Sequence, residues 1–199
     1  MGDRQNAPPP PPPAVVQFVQ VERPPARRER FGVEVGGAAV ISLDGVGPAL
    51  LPLARFDWLL RPWFVAQAAL AGLGTRPTVE TATAGSAQVA QAYALVGGSL
   101  RFREGARVRP FVALAAGALH TSVEGRAEAP NQGRTADQWS VLVDAGLGAQ
   151  LRLPDRFYVS LSAHAQLAQP YLAVRFVETV VATSGRPNVL VTLTLGAWL

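Results

Sequence analysis

The chain has 199 residues, enough for one domain and a tail, and only 16% of them are charged, against roughly 25% in an ordinary soluble domain. It has no cysteine, which excludes a disulfide framework and a thiolate metal site. The net charge is +4 and every basic residue is arginine, yet the arginines are interleaved with acids and form no stripe, which argues against nucleic-acid binding.

Residues 1–30 differ from the rest. Pro8 to Pro13 form an unbroken proline run, Pro24 and Pro25 follow, and Arg27, Arg28 and Arg30 crowd the end. Such a segment favours extended polyproline II and reads as a disordered tether, with one short strand possible over residues 15–21. A docking role toward a periplasmic or cell-wall partner is the alternative. Met1 is followed by polar residues and prolines rather than an apolar h-region, so an exported precursor is expected to start upstream.

From residue 31 onward the sequence turns to short alternating segments rich in valine, leucine, alanine and glycine, separated by turn residues. Alternation with period two marks strands with two different faces. The early strands are expected near residues 32–43, 50–60, 63–72, 88–103 and 108–122. In the sixth, over 138–152, Trp139, Val141, Val143, Ala145, Leu147, Ala149 and Leu151 oppose Gln138, Ser140, Asp144, Gly146, Gly148, Gln150 and Arg152, with Leu142 out of pattern.

The seventh opposes Phe157, Val159, Leu161, Ala163, Ala165 and Leu167 to Tyr158, Ser160, Ser162, His164 and Gln166. The eighth opposes Val189, Val191, Leu193, Leu195, Ala197 and Leu199 to Thr192, Thr194, Gly196 and Trp198. No apolar run reaches the roughly 18 to 20 residues that a membrane-spanning helix needs.

Links between these strands alternate in length. Tight turns fall at Arg61-Pro62, Glu104-Gly105-Ala106 and Pro154-Asp155, and long links at 44–49, 73–87, 123–137 and 168–187. An up-and-down barrel with short periplasmic turns and long outer loops has this arrangement. A soluble lipocalin-like barrel also alternates. Here, though, the polar face is small residues rather than a dense cover of lysine and glutamate, which suits the interior of a narrow barrel.

That reading makes Glu34, Arg55, Asp57, Arg101, Arg103, Asp144, Arg152 and His164 an interior polar network, with acid and base nearly balanced, as buried charge requires. It makes Trp58, Trp63, Phe64, Phe102, Phe111, Phe157, Tyr158 and Trp198 an aromatic girdle at the turn end, with Trp139 at the opposite rim.

The run from Ser99 to Leu119, with Arg109-Pro110-Phe111 opening a glycine- and alanine-rich strand, resembles the small bacterial outer-membrane β-barrel superfamily that includes the transmembrane domain of outer-membrane protein A. The last strand is similar too, although the family usually closes on phenylalanine and this chain ends Trp198-Leu199. The resemblance covers residues 31–199 and implies a cell outer membrane location, contact with membrane lipid and lipopolysaccharide, and recognition of the C-terminal strand by the barrel-assembly machinery.

The expected fold is therefore an all-β, eight-stranded antiparallel up-and-down transmembrane barrel, expected as a monomer, behind a disordered proline-rich N-terminal segment. Its expected role is structural or surface-binding through the long loops. A narrow pore for small solutes and a lipid A-modifying enzyme are the alternatives. No cofactor, metal or catalytic residue is expected. His164 shares a face with Ser160 and Ser162, but side chains two apart on a strand start roughly 6.5–7 Å from one another, beyond direct hydrogen bonding. Glu124, Glu128 and Asp137 share a long link and read as a solvated acidic loop rather than a calcium site.

Overall fold

A computed structural model describes residues 30–43, 48–81, 85–103, 105–126, 135–176, 179–184 and 187–199. The expected tether, apart from Arg30, and the expected short strand over 15–21 lie outside them. Among the described residues every regular element is a β-strand: β1 Phe31–Ser42, β2 Ala49–Arg61, β3 Phe64–Ala71, β4 Thr78–Thr81, β5 Gly85–Arg101, β6 Val108–Arg126, β7 Thr135–Arg152, β8 Phe157–Gln169, β9 Leu172–Phe176, β10 Thr179–Ser184 and β11 Asn188–Trp198.

Eight of these close into one antiparallel barrel, in the order β1, β2, β3, β5, β6, β7, β8, β11. The seam is the β1–β11 ladder, running from Gly32 opposite Trp198 to Ser42 opposite Asn188. Closure gives each of the eight strands a neighbour on both sides over the body of the barrel, so the wall has no free edge there. Three strands fall outside the eight: β4 extends the wall beside β5, and β9 and β10 form a hairpin inside the longest connection.

The long links are shorter than alternation suggests because the strands flanking them continue. β5 starts at Gly85, β6 runs to Arg126 and β7 starts at Thr135, so the β5–β6–β7 ladders extend well beyond the apolar band.

Alternation sets the two faces. In β8 it holds along the whole strand, with Tyr158, Ser160, Ser162, His164, Gln166 and Ala168 buried while Phe157, Leu161, Ala163, Ala165, Leu167 and Gln169 are exposed. The exterior is hydrophobic all round: Val35, Leu50, Leu70, Val96, Leu114, Leu147, Leu161 and Leu193 are each more than half exposed. A soluble monomer rarely exposes a contiguous apolar patch beyond a few hundred Å². The exterior of a transmembrane barrel is such a band, facing hydrocarbon. No helix among the described residues is long and apolar enough to cross a membrane.

The interior is layered. Toward the long-loop end it is apolar, built from Val40, Leu51, Leu53, Tyr93, Leu95, Leu119, Leu142 and Leu190. The small residues expected inside, here Ala38, Ala49, Ala71 and Ala168, share this half of the lumen with larger leucines and Tyr93. Leu142, fully buried, is one member of this plug rather than an isolated misfit.

Candidate functional site

Gln91, Thr121, Ser140 and Asn188 are buried on the long-loop side of the apolar plug, and the charged residues of the lumen lie on its turn side, in two hydrogen-bonded groups. In the first, Arg55 donates to Glu34 at 3.0 Å, and the Thr194 hydroxyl donates to the same carboxylate oxygen at 2.7 Å. Glu34 on β1 faces Arg55 on β2 and neighbours Thr194 on β11, so the cluster spans the seam that closes the barrel. Next to it, Arg101 on β5 donates to Asp57 on β2, past the intervening β3, at 2.7 Å, and Gln67 on β3 donates to the other Asp57 oxygen at 3.0 Å.

These four ions, two of each sign, are all under one-tenth exposed. Pairing with further hydrogen bonds is what makes such burial tolerable.

The second group corrects the sequence reading of His164. Its Nδ1 lies 2.7 Å from Asp144 Oδ1, and its Nε2 lies 2.8 Å from Ser162 Oγ. Gln166 donates to the second Asp144 oxygen at 3.0 Å, and Ser162 Oγ is 2.6 Å from Thr192 Oγ1. The Ser162–His164 bond that strand spacing appeared to forbid forms because the imidazole lies along the strand rather than across it. Gly146, directly opposite His164, provides the room; a Cβ there would overlap the ring.

An ionised Asp144 carboxylate accepts from Nδ1–H, and in that tautomer of the neutral ring Nε2 accepts from the Ser162 hydroxyl. This is the hydrogen-bonding order of a Ser–His–Asp hydrolase.

Its surroundings differ from a hydrolase site. Ser162, His164 and Asp144 are each less than one-tenth exposed. The cavity beside His164 and Asp144 has a volume of about 30 Å³ and is bounded by Arg55, Tyr93, Leu95 and Leu190. That is room for about one water molecule, not for an ester or amide. Ser162 lies in mid-strand with ladder partners on both sides, Gly148 and Thr192, so no pair of free backbone N–H groups converges on it to stabilise an oxyanion.

At the turn end, three residues expected in the girdle point inward instead. Tyr158 is fully buried and stacks on Trp198 at 5.6 Å, and Phe111 is 6% exposed. Gly196, opposite Tyr158, lets the ring lie flat on the wall, since a Cβ there would overlap it. Trp58, Trp63, Phe102 and Phe157 do face outward at this end, with Phe64 half-buried among them, and Trp139 faces outward at the other rim, 4.6 Å from the His120 ring.

Two residues expected in the interior network lie outside it. β5 ends at Arg101, so Arg103 falls in the turn, exposed and at φ 55°. Arg152 keeps the inward face but sits at the open mouth, exposed. Glu124 and Asp137 occupy β6 and β7, Glu128 lies outside the described residues, and no group of metal-binding side chains occurs among the described ones. Asp137 lies 3.6 Å from His120 Nε2.

No protein-family model matches the sequence, and no curated protein matches it by sequence. Solved structures do match by shape. The outer membrane protein OprG of Pseudomonas aeruginosa superposes with a TM-score of 0.57 at 12% identity, covering 86% of this chain and 96% of that one. Neisserial surface protein A gives 0.56 at 10% identity, with 85% and 97% covered. The N-terminal β-barrel domain of Pseudomonas aeruginosa OprF gives 0.52 at 12% identity, with 85% and 96% covered. Closed topology, apolar exterior and these superpositions agree: the chain has the fold of the small outer-membrane β-barrels.

Proposed function

We propose that this chain is an integral outer-membrane protein that acts structurally or by surface interaction through its long connections, without catalysis. The observation that carries this reading is the filled lumen. The apolar plug from Val40 to Leu190 sits on two polar layers, and the cavity between them holds about 30 Å³. An eight-stranded barrel has an interior just wide enough for side chains to fill, and here they fill it with leucine on one side and paired ions on the other. The extended β5–β6–β7 ladders supply surface at the long-loop end.

Planar-bilayer recordings of the purified protein test this directly. No stable openings are expected, and reproducible single-channel steps would replace the structural reading with the narrow pore. The Ser162–His164–Asp144 chain is read as a structural tie between β7, β8 and β11. Lipid A from cells expressing the protein should keep its acylation pattern by mass spectrometry, and a changed pattern would contradict the non-catalytic reading.

The fold supports contact with membrane lipid and lipopolysaccharide, and its closed wall supports a monomer. Engagement of β11 by the barrel-assembly machinery, and of residues 1–30 by a periplasmic or cell-wall partner, belong to the same proposal.

A further inference from the structure

The arginines that look scattered in sequence converge in space at the turn end of the barrel. A cavity of about 550 Å³ opens there, and Arg30, Arg61, Arg101, Arg109 and Arg152 all line it. They come from the chain entering β1 and from β2, β5, β6 and β7, so the convergence is a product of barrel closure. The rest of the lining is Trp58, Trp198 and small or apolar residues, with no carboxylate among the described lining residues.

Asp57 lies beneath the floor and neutralises one member, Arg101. Trp198 covers the same guanidinium at 4.7 Å, so Arg101 is held in place. The described turns around the mouth add Arg103, Arg107, Asp155 and Arg156, the last of which has a partner of its own.

From this we infer that the turn-end mouth is a binding site for a phosphate-bearing anion. Arg101 is already neutralised by Asp57 and Arg109 has a partner of its own, so the repulsion that an anion relieves is among Arg30, Arg61 and Arg152. The planar fork of arginine matches phosphate oxygens two at a time. Partial enclosure by two tryptophans and the barrel wall raises the local potential above that of the same charges on open surface. The phosphate can come from a lipid headgroup at the adjoining membrane surface or from a soluble phosphoester. This site is independent of the role proposed for the opposite end of the barrel.

The test uses the full chain. In one arm the protein in a zwitterionic detergent is titrated calorimetrically with inorganic pyrophosphate at low salt. In the other it is reconstituted into phosphatidylcholine vesicles with and without phosphatidylglycerol, and tryptophan emission is compared. The variant is Arg61→Gln with Arg152→Gln, both exposed in the wild type, and its folding is checked by heat-modifiable gel mobility. Arg30→Gln serves as a second variant should the first not fold.

Saturable pyrophosphate binding, weakened at least about tenfold in the variant as charge-assisted bonds are lost, supports a soluble phosphoester. A phosphatidylglycerol-dependent emission change absent from the variant, without pyrophosphate binding, supports a headgroup. A response in neither arm, or one undiminished in the folded variant, overturns the site.

Discussion

Replacing Glu34 by alanine tests the interior most sharply, because one carboxylate oxygen there serves two strands beyond its own. Arg55 donates to it from β2 and Thr194 from β11, and the Arg55 and Glu34 side chains are 7% and 2% exposed. Glu34→Ala leaves the Arg55 guanidinium buried beside the barrel seam with its counter-ion gone, a loss of about 3–5 kcal/mol. Replacing both partners, Glu34→Leu with Arg55→Met, removes the charges together and should leave the protein within about 1 kcal/mol of the wild type, since well-packed apolar groups replace buried ion pairs at little cost.

Urea unfolding in phospholipid vesicles, followed by tryptophan emission, measures both through the midpoint and slope. A Glu34→Ala variant within about 1 kcal/mol of the wild type, or a double variant no better than the single one, would refute burial of the pair.

Gly146→Leu should displace the His164 ring from Asp144 and cost about 1–3 kcal/mol through overpacking, read in the same unfolding assay. A smaller loss would mean that the imidazole does not lie over Gly146. On the outer face, Leu193→Arg at mid-barrel should cost about 2–4 kcal/mol, whereas Phe157→Arg at the rim should cost about 0–1 kcal/mol. Equal costs would contradict a depth-dependent lipid environment. A fluorophosphonate probe should leave the folded protein unlabelled, and labelling abolished by Ser162→Ala would make that serine a working nucleophile.

The barrel was legible in the sequence where the two faces differ in chemistry. β8 alternates serine, histidine and glutamine with leucine, valine and alanine, and its register follows from that alone. In β2, by contrast, Leu50, Leu51 and Leu53 put leucine on both faces, and the same holds for Leu142 between Val141 and Val143. Period-two reasoning then finds the strand but not the apolar plug, which depends on leucines from five strands meeting at one height. The girdle assignment overlooked the face of two aromatics: Tyr158 and Trp198 alternate with the interior set, and the burial of Tyr158 and partial burial of Trp198 follow from that face.

The Ser162–His164–Asp144 contact was missed because it depends on what lies across the ladder. Spacing along β8 gives the separation of the side-chain bases, while Gly146 on β7 decides which way the imidazole can lie. The arginine basin was hidden for a related reason, since its members are brought together only when the strands close. Arg103 was misplaced by two residues of strand length, where β5 stops and the backbone turns to positive φ.

The lipid-facing exterior is tested most directly by site-directed spin labelling along β8, which the absence of cysteine makes straightforward. Single cysteines at each position from Val159 to Leu167, labelled with a nitroxide and reconstituted in vesicles, would be compared for collision with oxygen and with a water-soluble nickel chelate. The structure predicts high oxygen accessibility at Leu161, Ala163, Ala165 and Leu167 and low accessibility to both agents at Ser162, His164 and Gln166. Nickel accessibility at the leucine and alanine positions, or no alternation at all, would contradict a membrane-spanning barrel with its apolar face outward.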